Sequence, residues 1–259
     1  MSTRKANSKN MLTGGVLLAA AAAGAAALGS AGTASATCAS ISGIGNGGGC
    51  TSSPTSFAVG IGDGTKAAAT GLFSGALAVG KNATATTNGN LSVGVAAGKN
   101  AFAFNQGDAN LAVSLGENAQ TVNTGTANAA LAVGKLAVAT NAGLGNLAVA
   151  VGNPGPNPGI DIDGISKLPP NANQPTLAQT IGVFNRAITF GNGSTSFAIG
   201  GDPANPLSKI GNNTALALGN GSNAYAGEIP VAGGTNTPNN QFAGALGNLQ
   251  NAVNGINNK

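Results

Sequence analysis

The 259-residue sequence contains no histidine and no tryptophan, and it has a single tyrosine. Charged residues make up 7% and aromatic residues 3% of the chain, whereas charged residues are about a quarter of an average domain. Without histidine the chain cannot form an ordinary Ser-His-Asp triad or a usual zinc site. We therefore predict that the protein is not an enzyme, has no catalytic or metal-binding residues and binds no cofactor.

Residues 1–36 have the pattern of a secretory signal peptide. Three basic residues (Arg4, Lys5 and Lys9) precede an alanine-rich apolar run, and Ala34–Ala36 provides the small-x-small cleavage site. We expect cleavage after residue 36 and a secreted or cell-surface location, with a retained membrane anchor as the alternative. Cleavage removes three of the 11 basic residues and leaves 8 against 7 acidic ones, so charge does not favour nucleic acid as a partner.

The mature chain begins with a short segment that contains both cysteines, Cys38 and Cys50. Two cysteines close together in an exported chain are expected to pair. A closed loop of this size stabilises the folded state by about 3 kcal/mol in the chain-entropy model. We predict a disulfide-closed N-terminal cap over residues 37–55.

Glycine recurs every eighteen residues along the centre of the chain. One glycine column contains Gly62, Gly80, Gly98, Gly116 and Gly134, and a second contains Gly71, Gly89, Gly107, Gly125 and Gly143. A third column of small polar residues contains Ser74, Ser92, Asn110, Asn128 and Asn146. A fixed period near twenty residues is typical of a solenoid. The glycines are predicted to form turns, and the Ser/Asn column is predicted to form a ladder of side-chain hydrogen bonds.

Between the columns, larger apolar residues alternate with small ones, which indicates strands with two distinct faces. Two strands and two turns per period predict an all-β parallel β-roll of about eight coils over residues 56–227. We expect valine and leucine to point into the core. That orientation leaves alanines such as Ala76, Ala78, Ala148 and Ala150 as a flat outer strip, through which the chain would associate with further copies. The alternative is a monomeric solenoid with these small residues on its outside.

The repeat is interrupted by a loop insertion over residues 153–181, which is rich in proline and glycine. The repeat then resumes at Gly182, with Gly191 as its tenth residue. Residues 228–259 are predicted to form a linker and a short helical cap. Its apolar stripe, spaced 4-3-4-3, consists of Phe242, Leu246, Leu249, Val253 and Ile256.

Few residues outside the repeat columns offer chemistry. Asp161 and Asp163 form only a fragment of a calcium-binding loop, and a solvated turn is the simpler interpretation. Lys81, Lys99 and Lys135 recur at one repeat position, which favours a solvated turn edge over a polyanion-binding one. Phe102 and Phe104 are predicted to share one side of a strand, as interface or core filler or as a contact patch.

Units such as SFAVGIGDGTKAAA, ALAVGKNATA and SFAIGG resemble the head repeats of YadA-like trimeric autotransporter adhesins over residues 56–226. In that family the repeats form left-handed parallel β-rolls, three chains lie side by side, and the heads bind host matrix. The resemblance implies a secreted β-roll with a homotrimer as its expected oligomer. The repeats here are longer than the typical head unit, and we expect neither a stalk nor a barrel anchor, so autotransport is not implied.

The function expected from the sequence is that of a secreted, non-catalytic, adhesin-like structural or interaction protein. Its expected partners are further copies of itself and a host matrix protein or glycan, with no small-molecule substrate. The alternative is a carbohydrate- or ligand-binding solenoid that uses the insertion at residues 153–181.

Overall fold

The computed structural model describes residues 37–46, 48–157, 160–162, 166–168, 171–201, 211–227, 240–253 and 256–257. Regular structure in these residues is entirely β-strand. The predicted signal peptide and most of the predicted linker after residue 227 lie outside the described residues. No helix in the described part of the chain is long and apolar enough to cross a bilayer.

Most strands belong to two large sheets. The twelve-stranded sheet contains β1 (Thr37–Ile41), β2 (Ile44–Gly45), β4 (Phe57–Ile61), β6 (Gly75–Val79), β8 (Val93–Ala97), β10 (Leu111–Leu115), β12 (Ala129–Val133), β14 (Leu147–Val151), β20 (Arg186–Phe190), β22 (Thr214–Leu218), β24 (Phe242–Leu246) and β26 (Ile256–Asn257). The ten-stranded sheet contains β3 (Cys50–Ser52), β5 (Lys66–Thr70), β7 (Thr84–Asn88), β9 (Phe102–Gln106), β11 (Gln120–Thr126), β13 (Val138–Leu144), β19 (Leu177–Val183), β21 (Thr195–Gly200), β23 (Asn223–Gly227) and β25 (Asn251–Val253).

Consecutive strands of the roll alternate between the two sheets, and each sheet pairs strands one coil apart. In the twelve-stranded sheet Val95 lies between Leu77 and Val113 in parallel register, eighteen residues away on each side. The described residues form nine two-strand coils, from β4–β5 to β24–β25, where the sequence predicted about eight. The predicted all-β parallel roll is confirmed.

The core between the sheets consists of alanine and small polar side chains, so the predicted inward orientation of valine and leucine is wrong. Ala112 is fully buried in β10, whereas its neighbours Leu111 and Val113 face outward. The predicted outer strip, which includes Ala76, Ala78, Ala148 and Ala150, is likewise fully buried in the core.

Short turns explain this thin core. The sheets are joined by four-residue turns such as 98–101 and 107–110, and a Cβ added to Gly94 would lie 3.9 Å from Ala103 O of the opposite sheet. Only small side chains fit in the remaining space. The largest completely buried side chain in the described residues is that of Val183.

The N-terminal segment closes one end of the roll. β1 pairs antiparallel with β4, and the predicted disulfide joins Cys38 to Cys50 with an S–S distance of 2.02 Å. Both cysteines are buried at the end of the alanine core. Gly60 leaves room for the sulfur atoms, because an added Cβ there would lie 2.7 Å from Cys38 Sγ.

The insertion ends earlier than predicted, because Leu177–Val183 is a strand of the roll. Gly182 pairs with Gly143 of the second glycine column. Gly191 lies next to Gly152, which follows Gly134 of the first column by eighteen residues. The sequence analysis assigned Gly182 to the first column and Gly191 to the second, and the structure reverses both assignments. The two columns are nine residues apart, so the glycine spacing fits either assignment.

The predicted C-terminal helix is not found in the described residues. Phe242–Leu246 and Asn251–Val253 are strands that add a ninth coil, and Ile256–Asn257 pairs with β24. The first four-residue step of the predicted stripe arises because Phe242 and Leu246 are the first and fifth residues of one strand. Both side chains therefore point outward from the sheet.

Candidate interaction surface

The turn glycines are required by the backbone of the neighbouring coil. Gly98 has φ +134°, and a Cβ added to it would overlap the carbonyl oxygen of Gly116. The same overlap recurs along both columns, for example between Gly107 and Gly125. Each first-column turn also accepts a backbone hydrogen bond from the next, as in Asn118 N to Lys99 O at 2.8 Å. The predicted turn glycines lie between strands, except Gly125 and Gly143, which lie within β11 and β13.

The Ser/Asn column forms a buried ladder at the second turn. Each Asn side chain accepts a bond from the backbone of the next coil, as in Asn128 N to Asn110 Oδ1 at 2.9 Å. Its amide donates to a turn glycine, as in Asn110 Nδ2 to Gly125 O at 2.7 Å. Ser74 and Ser92 donate in the same way to Gly89 and Gly107. The hydrogen bonds of this ladder therefore run between Ser/Asn side chains and backbone atoms.

A second asparagine ladder, which the sequence analysis missed, runs through the core. Asn123 Nδ2 donates to Asn105 Oδ1 at 2.9 Å, and Asn141 Nδ2 donates to Asn123 Oδ1 at 2.8 Å. Each amide also donates to a backbone carbonyl of the opposite sheet, as in Asn123 Nδ2 to Leu111 O at 2.7 Å. The eighteen-residue spacing of these asparagines could have revealed this ladder.

The outer surface of the twelve-stranded sheet is apolar in β4, β6, β8, β10, β12, β14, β20, β22 and β24. We call this surface the apolar face. Each of the nine strands has three outward positions, and among these outward positions only Arg186 and Thr214 are polar. The central column consists of Val59, Leu77, Val95, Val113, Leu131, Val149, Ile188, Leu216 and Gly244. The outer columns include exposed side chains such as Phe57 (42%) and Leu111 (45%).

Apart from Arg186, the charged side chains whose surroundings the structure describes lie away from this face. Five of the eight whose surroundings the structure describes lie at the first turn: Asp63, Lys81, Lys99, Glu117 and Lys135. Glu117 lies 3.5 Å from Lys99 and 3.7 Å from Lys135, and exposed pairs of this kind stabilise by at most about 1 kcal/mol. The acid partly neutralises the lysine row, which weakens the polyanion-binding interpretation.

The outer surface of the ten-stranded sheet is mixed in character. Thr84, Thr86, Gln120 and Val122 flank Phe102 and Phe104 on the neighbouring strands. The two rings lie outside the core on one strand, with centroids 6.3 Å apart and planes within 7°. Since threonines at positions 86 and 140 interrupt the column that contains Phe104 and Val122, this surface has no continuous apolar column comparable to the apolar face.

The start of the insertion is fastened to the roll. Asn157 in β15 (Gly155–Asn157) is buried; its Nδ2 donates to Gly193 O at 2.5 Å and to Asn223 Oδ1 at 2.8 Å. β15 pairs with β18 (Asn171–Gln174), and β16 (Ile160–Ile162) pairs with β17 (Ser166–Leu168). The insertion is therefore a folded hairpin in its described residues. The side chain of Asp161 and the whole of Asp163 lie outside the described part.

The described residues contain no cluster of three or more His, Cys, Asp or Glu that could hold a metal ion. No family model, no curated protein and no solved structure matches this chain. The apolar face is thus the main candidate site, and the predicted turn, ladder and disulfide residues form the framework that positions it.

Proposed function

We propose that the mature chain is a secreted, non-catalytic, adhesin-like surface protein that works by associating with other protein chains through the apolar face. The observation that carries this proposal is the composition of the face, on which 25 of 27 outward positions (nine strands with three each, less Arg186 and Thr214) are apolar. A contiguous exposed apolar patch of more than a few hundred Å² marks an interaction site on a soluble protein.

The sequence of the N-terminal segment supports the location. Residues 1–36 carry the basic, apolar and cleavage regions of a signal peptide, and the disulfide that follows is suited to an oxidising compartment. Expression in the source organism should release a protein whose first residue is Thr37, measured by N-terminal mass spectrometry. An uncleaved chain that stays inside the cell would contradict the proposed location.

The resemblance to adhesin heads supports the class of function. Because the alanines form the core, we assign association to the apolar face, in place of the alanine strip expected from the sequence. Partners in this proposal are copies of this chain or a matrix protein.

Binding of the purified mature protein to immobilised collagen, fibronectin and glycans, and to immobilised copies of itself, tests this function. We expect Leu111→Lys/Leu115→Lys, on the apolar face, to lose association with the partner that wild type binds. Thr84→Lys/Thr86→Lys, on the opposite surface, is the matched control and should retain it. Equal binding by the two double variants would contradict a role for the apolar face. A separate variant that lacks residues 158–172 shows whether the insertion binds the partner instead.

A further inference from the structure

We propose that a second copy of this chain covers the apolar face, in a face-to-face dimer whose twofold axis runs along the roll. The proposal rests on the proposed function, because it names the partner of the same face. It differs from the trimer expected from the sequence resemblance.

The symmetry of the contact favours a dimer. A twofold contact uses the same patch on both copies, whereas a threefold ring needs two different complementary patches on each copy. The described roll offers one continuous apolar face, on the twelve-stranded sheet, while the outer surface of the ten-stranded sheet carries Lys66, Thr84, Thr86, Asn88 and Gln120.

The size of the face is close to that of the smallest stable dimer interfaces. Nine strands about 4.8 Å apart, each with outward residues spread over about 14 Å, give a footprint of roughly 550 Å² per copy. Two copies therefore bury on the order of 1,100 Å² as a flat estimate, close to the lower limit of about 1,200 Å² for stable specific interfaces. Side-chain relief adds to this area, since Phe57, Leu111, Phe190 and Phe242 remain more than 40% exposed.

The position of Arg186 selects the orientation of the two copies. Arg186 and Phe190 are the first and fifth residues of β20, in the two outer columns of the face. If the twofold axis runs along the roll, each coil meets the same coil and the first column meets the fifth. Arg186 then lies opposite Phe190 of the partner subunit at the rim, where a guanidinium can stack on a ring and stay hydrated.

The opposite orientation is less favourable. If the axis runs across the roll, the coil order is reversed and each outer column meets itself. Arg186, in the seventh coil, would then lie opposite the third coil, at Val93. A cation against an aliphatic side chain gains no stacking and loses hydration.

Light scattering of the mature protein at micromolar concentration tests the dimer. We expect twice the chain mass for wild type, and the single chain mass for Val113→Lys, at the centre of the face. Thr86→Lys on the opposite surface is the matched control and should remain a dimer. A mass of one or three chains for wild type, or a folded Val113→Lys that stays dimeric, would overturn the proposal. If Val113→Lys does not fold, Leu115→Lys at the exposed edge takes its place.

Cross-linking tests the orientation, because the described cysteines are paired and a new thiol would be unique. Leu77→Cys and Leu216→Cys lie in the central column, in the second and eighth coils. A bismaleimide that spans sheets about 10 Å apart should cross-link each variant with itself. Cross-linking only in a mixture of the two variants would establish the reversed orientation and overturn the proposed one.

The two proposals fail in different ways. A monomer that still binds a matrix protein through the apolar face would contradict the dimer alone. A dimer that is neither cleaved nor exported would contradict the secreted function alone.

Discussion

At the scale of single residues, backbone contacts between coils decide where glycine is needed. Gly98 and Gly94 lie in one coil, and they differ in what surrounds them. Gly98 has a positive φ and touches the backbone of Gly116, whereas an added Cβ on Gly94 would have Thr87 Cγ2 as its nearest atom, at 3.1 Å, and backbone oxygens no closer than 3.7 Å. Other coils carry alanine at the Gly94 position, for example Ala76 and Ala112.

We therefore expect Gly98→Ala to lower the free energy of unfolding by at least about 2 kcal/mol, because both the φ angle and the close backbone approach oppose a side chain. Gly94→Ala is the matched control. Its expected change is within about 1 kcal/mol, because reduced entropy of the unfolded chain offsets the small shift of Thr87. Urea unfolding of both variants measures the difference, and equal effects would contradict the assigned turn geometry.

The core contains a hydroxyl that its surroundings do not satisfy. Ser114 Oγ is buried and has no hydrogen-bond partner among the described residues, while the neighbouring coils have Ala96 and Ala132 at the same position. We expect Ser114→Ala to raise the free energy of unfolding by about 1 kcal/mol, since it removes an unpaired polar group from the core. A loss of stability in thermal unfolding would show that the hydroxyl has a partner.

At the scale of strands and turns, the asparagine ladder joins consecutive coils within the core. Asn123 donates to Asn105 and to Leu111 O, and it accepts from Asn141. Asn123→Ala should lower the free energy of unfolding by about 2–3 kcal/mol, because it leaves buried polar partners unpaired. The control is Thr124→Ala, an exposed residue of the same strand, with an expected change within about 0.5 kcal/mol. Denaturant unfolding that showed equal losses would contradict a stabilising ladder.

Much of the fold could be predicted at this scale, because the glycine period and the alternation of residue sizes are local properties of the chain. The alternation alone does not say which face is inside. Four-residue turns bring the sheets too close for Val113 or Leu131, so alanine fills the core against the usual preference for larger residues. The outward side of the strands was therefore predicted wrongly, although the valines and leucines were correctly placed together on one side of their strands.

The interruptions of the repeat were harder to predict. Equivalent asparagines are eighteen residues apart in the early coils, as with Asn110 and Asn128, but 28 apart later, as with Asn185 and Asn213. Such extra residues shift the repeat frame without changing the strands. The stripe at Phe242 and Leu246 fits a helical spacing as well as the two outer columns of a strand, and the pairing with β22 decides between them.

At the scale of the whole molecule, the fold is a roll with its small residues inside and its larger apolar residues outside. Backbone ladders and turn bonds run along the full stack, so stability does not depend on burying valine and leucine within one chain. This leaves the apolar face available for association. The proposed function and the proposed dimer both depend on that orientation.

The orientation is tested most directly by the free energies of unfolding of two variants at adjacent positions of β10, Ala112→Leu and Val113→Thr. The thin core has no space for leucine, so Ala112→Leu should cost about 3 kcal/mol or prevent folding. Val113→Thr places a hydroxyl on the outer surface and should cost less than about 1 kcal/mol. A tolerated leucine together with a strongly destabilising threonine would contradict the account, because it would place valine inside and alanine outside.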